Sequence, residues 1–237
     1  MKHGSLFTGI GAFDLAAEIN DIKNVWNCEI EDYPRKILSK RFKDAEQYRD
    51  IRDMHHPEYV DIISGGFPCQ NISIAGRQEG VNGIKSGLWR EMWRVCGEVK
   101  PKYVIIENSN AILNRGFEHI LQAFAEIGYN AEWQCLQGYQ FGTPQRRRRM
   151  YAIFYTSSKR DRMEKSEIFS RWNKPIYTDW GSSENRVYGM ANDIPNRVDR
   201  HRALGNAVMP IVADYLFKCI IRRERRIKTQ TNNSTST

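Results

Sequence analysis

Three short stretches carry side chains that could do chemistry together. Gly65-Gly66-Phe67-Pro68-Cys69-Gln70 follows Val60 to Ser64, an apolar run short and branched enough to be a buried strand. Two glycines and a proline force a turn there, so Cys69 comes just past a strand end. In an open α/β sheet, ligands gather outside the carboxyl ends of the strands, which is where a nucleophile belongs. By position alone, a small buried hydrophobe is the slightly better reading of this cysteine. The other two stretches overturn it. Lys102 to Asn108 is the strongest strand pattern in the chain and ends in Glu107-Asn108. Gln145-Arg146-Arg147-Arg148-Arg149 sets four consecutive arginines before another strand. Alternate side chains of an extended segment point opposite ways, so Arg147 and Arg149 face one side and Arg146 and Arg148 the other. One pair can then reach a site while the other meets phosphate.

A thiol, an acid and an arginine suit addition to a pyrimidine ring. Carbon 5 of cytosine is too weak a nucleophile to take a methyl group unaided. A thiolate adding to carbon 6 makes carbon 5 enamine-like, and a carboxylic acid beside the ring nitrogen eases that addition. An arginine can hold both the acid and the carbonyl oxygen of the base.

These residues need a scaffold, and the chain supplies an alternation of strands and helices. Leu6 to Phe13 reads as strand, glycine turn and helix start, with the helix running to Ile19. Gly9 and Gly11 are present, but the third glycine of the dinucleotide fingerprint is missing, so the turn suits any nucleotide-like cofactor or plain tight packing. Asn24 to Glu29 is the next strand. Its terminal acid stands where ribose hydroxyls of an adenosine cofactor would lie, or is simply solvated. A helix from Asp32 and a short strand over Gln47 to Ile51 follow. Residues 71–87, with four glycines and Arg77, read as a mobile lid behind Cys69. From Leu88 a helix buries Trp89, Met92, Trp93, Cys96 and Val99 on one face. A second helix around Phe117 to Ile127 stops at Gly128, and Ala131–Gln137 and Arg149–Thr156 alternate like strands.

Beyond residue 156 the pattern weakens. Residues 157–200 are polar, with no sustained period, and read as a small irregular lobe. Ala203 to Val208 turns into a helix with Val208, Ile211, Val212, Tyr215, Leu216 and Cys219 as its stripe. The cluster Arg222 to Lys228 reads as a basic helix C-terminus, with contact to DNA as the other reading. Residues 229–237 are polar and expected to be disordered.

The totals exclude several classes. A net charge of +8 over 237 residues suits a polyanion, nucleic acid first. Five dispersed cysteines without a CxxC pair argue against a disulfide framework and a structural zinc site, and no metal is expected. No run approaches the roughly 20 apolar residues of a membrane helix. The N-terminus lacks a signal-peptide core, so a cytoplasmic location is expected.

Taken together, the chain closely resembles the cytosine-5 DNA methyltransferase family. Phe7-Thr8-Gly9-Ile10-Gly11, Glu29, Asp50-Ile51, Gly66-Phe67-Pro68-Cys69-Gln70, Glu107-Asn108-Ser109, Gln145 to Arg149 and Gly205-Asn206-Ala207-Val208 match its motifs in its order. The resemblance implies a Rossmann-like class I α/β fold with a mixed, mostly parallel sheet and a small irregular second lobe. It also implies S-adenosylmethionine as cofactor and double-stranded DNA as partner. Cys69, Glu107, Arg147 and Arg149 would be catalytic, and the target cytosine would be flipped out of the duplex. The cofactor would lie against Phe7, Thr8, Gly9, Gly11, Glu29, Asp50, Ile51, Pro68, Leu88, Asn206 and Ala207. Gln70, Arg77, Asn108, Gln145, Arg146 and Arg148 would meet the substrate. Residues 1–156 would form the catalytic domain, 157–200 a much shortened target reader, 201–228 a return segment, and 229–237 a tail. A cognate restriction endonuclease is a further possible partner. Ser109 replaces the family's usual valine. RNA methylation and DNA binding without catalysis are the rival readings.

Overall fold

The computed structural model describes residues 1–68, 87–143, 145–156, 168–169, 199 and 207–234. Cys69, Gln70, Arg77 and Asn206 lie outside the described residues, as do the expected lid and nearly all of the expected reader lobe. The elements run β1 (Lys2–Leu6), α1 (Ala12–Ile19), β2 (Lys23–Cys28), α2 (Asp32–Arg41), β3 (Glu46–Tyr48), β4 (Ile62–Gly65), α3 (Leu88–Val99), β5 (Tyr103–Ser109), α4 (Phe117–Glu126), β6 (Tyr129–Gln137), β7 (Arg148–Thr156) and α5 (Pro210–Ser234). They form one seven-stranded sheet in the order β3-β2-β1-β4-β5-β7-β6. The pairs from β3 through β5 are parallel. Only β7 is antiparallel to its neighbours, which gives the mixed, mostly parallel sheet the sequence led us to expect.

Side chains alternate across each strand, and the core divides accordingly. On β5, Val104 and Ile106 face the layer of α3 and α4. Tyr103 and Ile105 face the layer of α1 and α5. On β7, Met150, Ala152 and Phe154 join the first layer, and Tyr151 and Ile153 the second. With both faces covered, central strands read as continuous apolar runs, and for that reason β5 was so plain in the sequence. In α3, Met92, Cys96 and Val99 are buried as the period predicts, while Trp89 and Trp93 lie at the margin of the core. The indole N–H of Trp93 donates to Ala123 O at 2.8 Å.

Several polar groups are fully buried, and one of them is a histidine within the sheet. His3 on β1 is 0% exposed, with Nδ1 2.7 Å from Asn24 Oδ1 and Nε2 2.8 Å from Ser64 Oγ. Since Asn24 offers an oxygen, Nδ1 carries the proton and Nε2 accepts from the serine hydroxyl. The imidazole is therefore neutral, and burial lowers its pKa to about 4.

The far end of the chain departs from expectation. Helix α5 runs through Ser234, into the stretch expected as a disordered tail. Extending an established helix adds one hydrogen bond per residue fixed, so polar residues join it readily. The arginine cluster consequently lies inside the helix and away from its last turn, so the dipole reading of it does not apply. Arg223 is buried, with its guanidinium 4.3 Å from the Tyr155 ring centroid. No helix of the described residues is long and apolar enough to cross a membrane.

Candidate active site

Strand order reverses between β1 and β4, because β2 and β3 extend to one side of β1 while β4 and β5 lie on the other. A doubly wound sheet opens a crevice at such a point, outside the carboxyl ends of its strands. A cleft lies there, lined by Phe7, Thr8, Gly9, Ile10, Ala12, Phe13, Gly66, Glu107, Ala207 and Val208. The turn after β1, the turn after β4, the acid of β5 and the segment entering α5 thus converge on one space.

The β1–α1 turn is built for close approach. Phe7, Gly9 and Gly11 hold φ of 52°, 57° and 84°. A Cβ at Gly9 would meet nothing within 4 Å, so the backbone there faces open space. Its N–H donates to Glu29 Oε2 at 2.7 Å, and Glu31 N–H donates to Oε1 at 2.8 Å. A carboxylate accepts about four hydrogen bonds, so Glu29 keeps capacity for a diol. An exposed glycine backbone, a buried acid and apolar walls fit an adenosine-bearing cofactor. Asp50 and Ile51 follow β3, further along the same sheet edge. Both oxygens of Asp50 bond the Arg52 guanidinium, and Ile51 is buried in the core. Leu88 opens α3 and packs at the core margin.

The acid stands on the other wall. Glu107 is buried, and Arg149 Nε lies 3.2 Å from its Oε1. The antiparallel register makes this contact: Ser109 pairs with Arg149 and Glu107 with Tyr151 across β5 and β7. A Cβ on Gly66 would come 2.8 Å from Glu107 Oε2 and 3.2 Å from Glu107 O, so the acid packs where only glycine leaves room. Burial pushes the Glu107 carboxyl up, and the charges of Arg149 and then Arg147 pull it partly back. Such a group keeps its proton to higher pH than an ordinary glutamate, as a donor to a ring nitrogen requires.

The alternation expected for the arginines is present. Arg146 and Arg148 are exposed, while Arg147 and Arg149 turn inward. Arg147 Nη1 donates to Ala207 O at 3.2 Å, tying the β7 approach to the return segment. Gln145 is exposed beside them. Asn108 differs from its expected place at the substrate. It is buried, its amide donates to Phe67 O at 3.0 Å, and its Oδ1 accepts from Ser109 N at 2.8 Å. Its parallel neighbour strand brings the β4 turn within reach, so Asn108 fixes the main chain just ahead of exposed Pro68. Sequence reasoning missed Gly66 and Phe13 as cleft residues; only the fold brings them there.

Arg149→Met should raise the Glu107 pKa further, since the nearest cation is gone. Carboxyl-carbon NMR titration checks this effect, and an unchanged or lower pKa would refute the electrostatic account.

The comparisons agree with this architecture. Residues 1–193 match the model of the C-5 cytosine-specific DNA methylase family. The chain is 32% identical over 161 residues to type II methyltransferase M2.BsuMI of Bacillus subtilis, covering 65% of this chain and 41% of that protein. It is 33% identical over 178 residues to type II methyltransferase M.Sau3AI of Staphylococcus aureus, covering 65% and 43%. The crystal structure of the S. pombe Dnmt2 methyltransferase superposes with a TM-score of 0.57 at 20% identity, covering 72% of this chain and 57% of that one. The chain therefore spans less than half the length of these two curated relatives. With its sheet order, its cleft and its family match in accord, the chain belongs to the C-5 cytosine-specific DNA methylase family.

Proposed function

We propose that this protein methylates carbon 5 of cytosine in double-stranded DNA. The observation that carries the reading is the Arg149–Glu107 contact at the carboxyl edge of β5, beside the glycine turn that leads into Cys69. S-adenosylmethionine, held against the β1–α1 turn and Glu29, supplies an electrophilic methyl group when bound. Cys69 forms a sulfur–carbon bond to carbon 6 of a flipped-out cytosine. Glu107 gives its proton to ring nitrogen 3 in the same step, so no anion is left on the ring. Arg149 holds the acid and the carbonyl oxygen of the base, and Arg147 braces the return segment. After methylation, a water molecule takes the carbon-5 proton, ring nitrogen 3 returns its proton to Glu107 and the thiolate leaves, which restores the aromatic ring and the acid. Arg146, Arg148 and Gln145 face the phosphates, and Gln70 and Arg77 are further substrate contacts in this reading.

In this reading residues 1–156 are the catalytic unit, 157–200 the reduced reader, and 201–228 the return segment. The type II names of the relatives support a restriction-modification setting with a cognate endonuclease, in the cytoplasm. The test is tritiated methyl transfer to mixed-sequence duplex DNA, with tRNA as competitor, followed by bisulfite sequencing. Methylated cytosines in one short context are the expected result. Transfer to tRNA alone, or no transfer with saturating cofactor, would refute the reading. Cys69→Ser should abolish transfer.

A further inference from the structure

Asp14 lies in the first turn of α1 at 0% exposure and does not line the cleft. A hydrogen bond of 2.9 Å joins its Oδ1 to Ser5 Oγ, and another of 2.9 Å joins Ser5 Oγ to Thr8 Oγ1. Thr8 Oγ1 is in turn 3.1 Å from both Cys28 O and Ser5 O, and accepts from Cys28 N at 3.2 Å. Thr8 N also donates to Cys28 O at 3.1 Å. A line of hydroxyls therefore runs from the core to the turn that carries Gly9, a turn with three left-handed residues in it.

The other carboxyl oxygen, Oδ2, is buried and meets no hydrogen-bond partner among the described residues. As one half of an anion it would be a costly orphan; as the carbonyl oxygen of a neutral acid it is a far weaker acceptor. With the proton on Oδ1, Asp14 donates to Ser5, Ser5 donates to Thr8, and the Thr8 proton goes to the main-chain carbonyls of Cys28 or Ser5. Ionised, Asp14 would draw the Ser5 proton inward, and Thr8 would follow by donating to Ser5 Oγ. Those carbonyls would then lose their hydroxyl donor. Among the described residues no cation faces Asp14; the Ser5 hydroxyl and the Asp14 backbone N–H favour the anion, and burial outweighs them. Glu18 on the same helix opposes the anion, His3 on β1 is neutral, and on α5 the Lys218 ammonium pairs with Asp214, which also takes the Asn20 amide.

We infer that Asp14 is a positioning residue for the β1–α1 turn, acting as the neutral acid through the Ser5 and Thr8 hydroxyls. The inference rests on reading that turn as the cofactor's seat. Burial agrees with it by raising the Asp14 pKa to about 7.

The test uses the 237-residue chain with Asp14→Ala, Asp14→Asn and Thr8→Val, and two readouts. The first, amide hydrogen exchange over residues 7–11, needs no cofactor. It should speed up about tenfold in Asp14→Ala and Thr8→Val and stay near wild type in Asp14→Asn, whose amide can still donate to Ser5. The second is calorimetric affinity for S-adenosylmethionine. It should weaken about tenfold in Asp14→Ala and Thr8→Val, with rescue to within about twofold in Asp14→Asn, and kcat of the two Asp14 variants should be unchanged at saturating cofactor. Exchange in Asp14→Ala equal to wild type, or Asp14→Asn behaving like Asp14→Ala, would overturn the inference. Wild-type protein that fails to bind the cofactor would overturn the functional reading instead, and the exchange result would still decide the role of Asp14.

Discussion

Glu107→Gln is expected to reduce methyl transfer by about 10²–10⁴-fold, the usual loss when a positioned acid is removed. Glutamine keeps the shape that packs against Gly66, so the β4 turn stays in place. It cannot release a proton to ring nitrogen 3, and it leaves Arg149 without its counter-charge. Cofactor affinity should change little, since the acid enters the cleft from β5 and makes none of the hydrogen bonds that join Gly9 to Glu29. Initial rates of tritium transfer measure the loss. Duplex DNA containing 5-fluorocytosine separates the steps: wild type should trap a covalent adduct, Glu107→Gln should form it slowly, and Cys69→Ser should not form it. A glutamine variant within tenfold of the wild-type rate would remove the acid from the mechanism.

The second large effect is on stability against pH, and it comes from two buried groups of opposite sign. His3 has its pKa lowered from 6.5 to about 4. The unfolded chain takes up that proton first, so the stability His3 contributes is full above pH 6.5 and is lost as pH falls through about 4. Asp14 has its pKa raised from 3.8 to about 7. Here the folded chain holds the extra proton, so the contribution is full below pH 3.8 and is lost as pH rises through about 7. Between pH 4 and 6.5 the two slopes oppose each other, and wild type should be nearly insensitive to either. Asp14→Asn removes one of them. On acidification through that window it should lose about 3 kcal/mol relative to wild type, at about 1.4 kcal/mol per pH unit. Urea denaturation at pH 4.5, 5.5 and 6.5 reads the difference, and the shared surface carboxylates cancel in it. Parallel curves for the two proteins would mean that Asp14 ionises as an ordinary aspartate.

Strands buried on both faces, such as β5, and helices with a full stripe, such as α3, were legible in the sequence because burial leaves a period in the residue types. The Glu107–Arg149 pair was legible only as motif, and its contact needed the antiparallel register of β5 and β7, which no local pattern encodes. Asn108 shows the limit well. A polar residue at a strand end looks the same whether it meets a ligand or ties down a neighbouring turn, and only the parallel pairing with β4 decides between them. The Asp14 chain was invisible for a related reason. Its members are spread over β1, the following turn and α1, and acid and hydroxyl residues in a first helical turn usually read as caps. The tail failed differently: polarity was taken for disorder, although an established helix carries polar residues along.

Helix α5 has one more consequence. It leaves the cleft near Ala207 and descends to the opposite edge of the sheet, where Glu224 Oε1 accepts from the Tyr103 hydroxyl at 2.9 Å. That edge is also where the chain starts, since Lys23 N–H donates to Met1 O and Asp61 N–H to Lys2 O. Both ends of the folded unit are thus brought to the side remote from the chemistry. A flexible linker could join them, with new termini opened elsewhere, and the crevice would keep all of its walls. The same geometry makes either end of the described unit a place where an added segment would stand clear of the crevice walls.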